Sequence, residues 1–333
     1  MEVKKRVLIT GGTGFIGHYL IDEALALHEY EVTVAVRKES NRKTLDHFKG
    51  IHLLELEYKD SGQMRRAFEQ LADSQDAPPF HYVIHNAGVT KTLDTKQFAE
   101  VNAENTRRLL EALDTKRLRP ERFLLMSSMG SYGENNTDAP LCVNFSQCPN
   151  TAYGRSKWQA EQYLKSASIP FTILCPTGVY GAGDEDYWLS IMSMKRGWNF
   201  LSGRQPQKLS FVYVKDVARA VFFLLNHPEA EGQTFLLSDG KDYTDQDFTR
   251  IVSTILNRPV HEVRVPLPII KLACNIGQTY SRISHKPFTL NRDKYPILSQ
   301  RNWLCDISPI LSLGFQPTYD LEEGLKDAFS EVE

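Results

Sequence analysis

The sequence is poor in the features that mark several large protein classes. It holds five cysteines among 333 residues (Cys142, Cys148, Cys175, Cys274 and Cys305), odd in number and scattered, with no Cys-x-x-Cys pair. That speaks against a disulfide framework and a zinc site, and it predicts a reducing, cytoplasmic setting. An excess of one charge is missing too: 39 Lys and Arg face 41 Asp and Glu, for a net charge of −2. Nucleic-acid readers carry a basic excess and acidic disordered chains the reverse, so neither class fits. No apolar run approaches the roughly 20 residues that span a bilayer; the longest candidate, 217–225, is broken by Arg219. The basic start Lys4-Lys5-Arg6 meets only Val7-Leu8-Ile9 before a glycine turn, which is not a signal peptide. The nine histidines are dispersed, and His81 and His85 share a strand rather than a helix face, so no metal site is expected. Repeats and low-complexity tracts are also absent.

What is present is a rhythm. Short apolar runs at 6–10, 31–36, 51–56, 82–85, 123–127 and 171–175 read as strands by length and by their Val, Ile, Leu and Phe content. Amphipathic stretches at 16–27, 63–71, 101–113 and 152–166 fall between them. Such alternation predicts a parallel sheet with helices on both faces. Beyond Tyr180 the rhythm changes. Strands are expected at 209–214 and 234–237, with a helix at 216–226 between them, and a helix at 245–256 capped by Thr244. The last hundred residues are punctuated by proline.

The strongest local signal is Thr10-Gly11-Gly12-Thr13-Gly14-Phe15-Ile16-Gly17, which follows a strand and opens a helix. That is the setting of a dinucleotide phosphate loop. Gly11 permits the tight turn, Gly14 lets backbone approach a pyrophosphate, and Gly17 lets the helix pack on the strand. Free amides at the helix start, through Thr13, Phe15 and Ile16, then face the phosphates. At the end of the second strand an NAD site wants an acid. Val36 stands there instead, followed by Arg37-Lys38, with Arg42 and Lys43 nearby. A guanidinium grips a 2′-phosphate bidentately, so the residues predict NADP over NAD.

Tyr153-Gly154-Arg155-Ser156-Lys157 places a phenol and an ammonium one helical turn apart. A nearby ammonium favours phenolate and should lower the phenol's pKa, which suits proton transfer at a carbonyl or alcohol. Ser127-Ser128 ends the fifth strand, where a hydroxyl can reach a crevice.

Together these elements resemble the extended short-chain dehydrogenase/reductase superfamily, which includes the NAD-dependent epimerase/dehydratase group. Further pieces are Asn86-Ala87-Gly88, Val101-Asn102, Pro176-Thr177-Gly178-Val179-Tyr180-Gly181, and Phe211-Val212-Tyr213-Val214-Lys215-Asp216. The resemblance implies an α/β fold: a Rossmann-type doubly wound parallel sheet with a smaller C-terminal substrate lobe. Residues 1–177 with about 209–238 would bind the dinucleotide, and about 178–208 with 239–333 the substrate. It implies Tyr153 as acid–base, Lys157 as its tuner and ribose contact, Ser128 as the substrate-polarising hydroxyl, and Asn102 as a supporting residue. It places Asn86, Ala87 and Gly88 along the cofactor, Pro176 and Val179 near the nicotinamide, and Leu56, Glu57 and Tyr58 by the adenine. It also implies a homodimer through the helices that carry Asn102 and Tyr153.

Within the superfamily, Gly178 and Cys175 replace residues common in sugar-nucleotide members, and Met129-Gly130 replaces the Asp-Glu pair of the 4,6-dehydratases. The Pro-Thr-Gly-Val-Tyr-Gly run is closer to the dihydroflavonol-reductase and 3β-hydroxysteroid-dehydrogenase group. Tyr187, Trp188, Met192, Met194, Trp198, Phe200 and Leu201 read either as an apolar substrate wall or as core. The apolar stretch 265–276 reads as core, lid or lipid-facing surface. The expected activity is NADP-preferring hydride transfer between nicotinamide and a carbonyl or alcohol carbon of a small molecule. A nucleotide-sugar epimerase and a non-catalytic dinucleotide-binding sensor or scaffold are the alternatives.

Overall fold

The computed structural model describes residues 4–75, 77–285 and 288–332. Val7, Leu8 and Ile9 are fully buried in β1 (Lys5–Thr10), because a strand covered on both faces is apolar throughout. α1 (Phe15–Ala26), β2 (Tyr30–Val36), β3 (Ile51–Glu55), α2 (Ser61–Gln75) and β4 (Tyr82–His85) follow. α3 (Lys96–Phe98) runs through a π-helical stretch (Ala99–Glu104) into α4 (Asn105–Leu113). Then come β5 (Arg122–Met126), α5 (Ala152–Ser166), β6 (Phe171–Pro176) and β7 (Gly178–Tyr180). The later elements are α6 (Asp186–Met194), β8 (Trp198–Ser202), β9 (Lys208–Leu209), β10 (Phe211–Tyr213), α7 (Val214–Asn226) and β11 (Gln233–Leu237). β12 (Tyr243–Thr244), α8 (Asp245–Ile255), β13 (His261–Val265), α9 (Leu267–Ser284), α10 (Tyr295–Ser299), β14 (Asn302–Trp303), α11 (Ser308–Ser312) and α12 (Leu321–Val332) complete the order.

Seven strands form one parallel sheet in the order β11-β6-β5-β4-β1-β2-β3. The chain leaves β1 toward β2 and β3, then returns to place β4 on the other side of β1. Strand order therefore reverses at β1/β4, and open α/β sheets bind ligands at the carboxyl edge of such a point. The expected doubly wound sheet is what forms.

Outside it, β8 pairs with β13, β7 with β10, and β9 with β12 and β14. A second apolar cluster gathers Tyr180, Met194, Phe211, Tyr213, Phe248 and Phe329. The expected strand at 209–214 is thus two short strands in different sheets, separated at Ser210, whose carbonyl accepts the Thr177 hydroxyl at 3.0 Å instead of a ladder partner. The helix expected at 216 starts at Val214. The helix expected at 101–113 opens with the π-helical stretch containing Asn102. The aromatic segment divides by strand and helix phase. Met194 and Leu201 are buried, whereas Met192, Trp198 and Phe200 are exposed.

Among the described residues, no helix is long and apolar enough to cross a membrane. No three His, Cys, Asp or Glu side chains among them could hold a metal ion.

Candidate active site

The glycine turn closes tightly on the loop after β4. Gly11 has φ +72°, and a Cβ there would lie 2.8 Å from Ala87 Cα. A Cβ at Gly17 would collide with the Gly11 carbonyl oxygen. Side chains are excluded so that backbone can approach backbone. Asn86 Nδ2 donates to the Gly11 carbonyl at 3.4 Å, and the Ala87 amide donates to Thr10 Oγ1 at 3.0 Å. α1 begins after Gly14 with no side-chain cap and no acid in its first turn. The amides of its first turn, from Phe15 and Ile16 onward, are therefore available to an anion. Thr13 is half-buried beside them.

Thr10 is held in turn by His85, whose Nδ1 lies 2.8 Å from Thr10 Oγ1 and whose Nε2 lies 2.9 Å from Thr106 Oγ1. Burial depresses the His85 pKa to about 3, so the ring is neutral and structural.

At the second strand, the Leu56 amide donates to the Val36 carbonyl at 2.9 Å, with Glu57 exposed beyond it. The Tyr58 hydroxyl is buried at this end of the sheet and faces the Thr10 side chain. Arg42 does not add free charge as expected, because its guanidinium pairs with Glu55. Arg37 is exposed, and its backbone amide donates to Ser40.

The catalytic candidates converge on the carboxyl end of β5. Ser128 caps a short 3-10 turn, its Oγ accepting the Gly130 amide at 3.1 Å. A Cβ at Gly130 would lie 3.4 Å from Ser128 Oγ and 3.8 Å from the Tyr153 ring, so Gly130 sits between the two groups. Tyr153 is half-buried, its ring edge-on to Phe98 at 5.9 Å. Lys157 is buried, and its Nζ donates to the Met126 carbonyl at 2.8 Å. A Cβ at Gly88 would lie 3.4 Å from that Nζ and 3.0 Å from Asn102 Oδ1. Asn102 Oδ1 accepts the Val89 amide at 2.7 Å, and its Nδ2 donates to Val89 O and Ser156 Oγ, both at 3.0 Å. Asn102 is thus fully occupied in tying the β4 loop to α5.

Electrostatics depart from the sequence expectation. Burial raises the Tyr153 pKa, with the Ser128 hydroxyl opposing it. Burial also lowers Lys157 to about 8, against the field of Cys175 and Glu161. The ammonium is spent on Met126 and does not set the phenol. Tyr153 is held in its neutral, protonated form.

Pro176 is buried at the end of β6 and Val179 half-buried in β7. A Cβ at Gly178 would collide with the Tyr187 hydroxyl, so that hydroxyl fills the space beside the Gly178 backbone. The Cys175 thiol is buried and raised well above its usual pKa, which makes it inert.

Two groups have no local sequence signal. Asp293, from the carboxyl-terminal part of the chain, accepts the Ala152 amide at 2.6 Å and the Tyr153 amide at 3.2 Å. It caps α5, whose first turn has no acid of its own. Glu161 is fully buried one turn beyond Lys157; it accepts the Ser127 hydroxyl and, at 2.7 Å, Gln147 Nε2. A depression of about 980 Å³ lies along α1, lined by Thr13 and Phe15 at the helix start and by Tyr19, Asp22, Lys215 and Tyr319, and none of Ser128, Tyr153 and Lys157 lines it. Converging side chains, not cavity size, therefore locate the site.

The model of the NAD dependent epimerase/dehydratase family matches residues 7–238. UDP-glucose 4-epimerase of Vibrio cholerae is 27% identical, covering 98% of this chain and 94% of that protein. Ceramide reductase of Caulobacter vibrioides is 25% identical, covering 91% of this chain and 87% of that protein. The crystal structure of the Bordetella bronchiseptica enzyme WbmG in complex with NAD superposes with a TM-score of 0.76 at 20% identity, covering 98% of this chain and 93% of that one.

Proposed function

Because the chain belongs to the NAD dependent epimerase/dehydratase family, we propose that it transfers a hydride between a nicotinamide dinucleotide and a carbonyl or alcohol carbon of a small molecule. The observation that carries this reading is the placing of Ser128, Tyr153 and Lys157 at the end of β5, beside a glycine turn whose backbone is bare of side chains. The residues fit the cofactor. Gly11, Thr13, Gly14, Phe15, Ile16 and Gly17 would hold its pyrophosphate. Leu56, Glu57 and Tyr58 would meet its adenine end. Asn86, Ala87, Gly88, Pro176 and Val179 would line the rest.

The bound nicotinamide supplies or accepts the hydride. Ser128 donates a hydrogen bond to the substrate oxygen, and Tyr153 gives that oxygen its proton in reduction. A phenol held neutral by burial suits the acid role. Lys157 and Asn102 act as positioning groups around Gly88. Replacing Tyr153 by Phe should lower kcat by about two to four orders of magnitude with little effect on dinucleotide affinity. Unchanged turnover in Tyr153→Phe would overturn the assignment.

NADP preference follows from Arg37, since Arg42 is committed to Glu55. Charged hydrogen bonds to a phosphate contribute about 1.5–3 kcal/mol, so Arg37→Ala should raise the KM for NADPH roughly 10- to 100-fold and leave NADH unchanged. Equal effects on both would favour NAD.

An epimerase reading is supported by the family and by the UDP-glucose 4-epimerase relative, which matches along nearly the whole chain. Stoichiometry separates the two: a reductase consumes NAD(P)H absorbance with substrate, an epimerase does not. A homodimer through α4 and α5 fits the exposed Trp158 on α5. The five unpaired cysteines fit a reducing compartment.

A further inference from the structure

α9 is inverted relative to an ordinary surface helix. Its buried residues are the small Cys274, Gly277 and Ser281. Ile269, Leu272, Ile276, Tyr280 and Ile283 recur at three- and four-residue steps on the opposite side, 55–75% exposed. The Tyr280 ring meets the exposed Phe288 at 5.7 Å, so the apolar stripe continues past the helix end. Isolated exposed apolar residues need no explanation, but a periodic stripe of five on one helix does.

Charge says what covers it. α9 carries no carboxylate. Residues 258–301 hold eight Lys and Arg against two carboxylates, in a chain whose net charge is −2. Lys271 and Arg282 are exposed and stand along one edge of the stripe. Lys271 lies over the Tyr295 ring at 5.7 Å, and Arg292 donates to Asn275 at 2.7 Å; among the described residues neither meets a carboxylate. Apolar side chains rimmed by such cations match the boundary between anionic headgroups and acyl chains. A second copy on the same face would set this positive charge against itself.

The segment that follows α9 reaches the site. The segment after α9 supplies Asp293, which caps α5 at Tyr153. It also supplies Lys294, which pairs with Asp186 at 2.9 Å, and Asp186 holds Lys91 at 2.8 Å. Lys91, Asp184, Trp188, Leu189 and Thr289 line a depression of about 570 Å³. The exposed Leu189 and the residue after Phe288 thus share one opening.

We propose that this face of α9 docks on an anionic lipid surface, and that the substrate is a membrane-borne alcohol or carbonyl compound drawn from that surface. The substrate half rests on the hydride-transfer reading; the docking half does not. The test is co-sedimentation of the full chain with vesicles of phosphatidylcholine alone or containing about one-third phosphatidylglycerol. We expect binding to the anionic vesicles only, weakened by salt and reduced at least about tenfold by Ile276→Glu and by the pair Lys271→Glu, Arg282→Glu. NAD(P)H affinity should stay unchanged in each variant, which reports an intact fold. No sedimentation, binding indifferent to lipid charge, or a dimer in light scattering that Ile276→Glu splits would overturn the docking proposal. Vesicle binding retained while Tyr153→Phe leaves turnover unchanged would remove the substrate half alone.

Discussion

A buried ammonium with a single carbonyl partner lowers the stability of the fold at neutral pH, and Lys157 is such a group. Its proton leaves near pH 8 in the folded protein and near 10.5 in the unfolded chain. Between these values the unfolded state binds more protons, so stability rises with pH across that window and the full penalty is present below it. A shift of this size corresponds to on the order of 3 kcal/mol. Lys157→Met removes the titration. Wild type minus variant unfolding free energy, measured by urea at several pH values, should therefore be flat below pH 8 and climb toward 10.5. Parallel curves would show that Lys157 is not desolvated. The Tyr153–Lys157 spacing was legible because both lie on one helix, where sequence distance fixes spatial distance. The sign of the Tyr153 pKa shift was not, because it depends on what buries the ring and on the Met126 carbonyl that claims the ammonium.

At the scale of elements, α5 shows how a catalytic helix can depend on a distant residue. Thr151 caps it locally, accepting the Gly154 amide at 2.9 Å. The two preceding free amides, at Ala152 and Tyr153, go to Asp293. A carboxylate there satisfies both amides and complements the helix dipole. Asp293→Ala should lower stability by about 1–2 kcal/mol, as loss of a cap does. It should also lower kcat several-fold by freeing the first turn that carries Tyr153. Asp293→Asn, which keeps one acceptor, should fall between. An unchanged kcat in Asp293→Ala, with only the stability loss, would reduce the contact to a structural one. The strands of the main sheet were readable from apolar runs bounded by turns, and β1 and β4 match to within one residue. The split at Ser210 was not, because two short strands with different partners look like one run in sequence. The 265–276 stretch left core, lid and lipid-facing surface open, because its composition is that of a core segment; only packing reveals that its small residues face inward.

For the molecule as a whole, the parallel sheet followed from alternation, but the strand order that sets its switch point and the closing of the second cluster did not. That closure is made by the last segment of the chain returning to α7. Asp216, fully buried, accepts the Thr318 and Tyr319 amides at 2.9 Å each and pairs with Arg219. Lys215 beside it pairs with Asp327 at 2.6 Å and Glu331 at 2.7 Å, which pins α12. The Tyr180 hydroxyl donates to the Asp320 carbonyl at 3.1 Å. Leu321, Leu325 and Phe329 then pack against Tyr213 and Phe248 in the second cluster. Asp216→Ala leaves the Thr318 and Tyr319 amides without this acceptor and Arg219 without its partner; because Thr318 is exposed and Tyr319 half-buried, water takes up part of the loss, which comes to about 1–3 kcal/mol in all. Because the clasp holds α12 and not the glycine turn, dinucleotide affinity should be retained while limited proteolysis begins to cut within 318–332. Cleavage confined to that segment, with a lowered urea midpoint, is the expected pair of results. Loss of dinucleotide binding together with the clasp would mean instead that the two clusters fold as one cooperative unit, so that substrate and cofactor surfaces cannot be loosened separately.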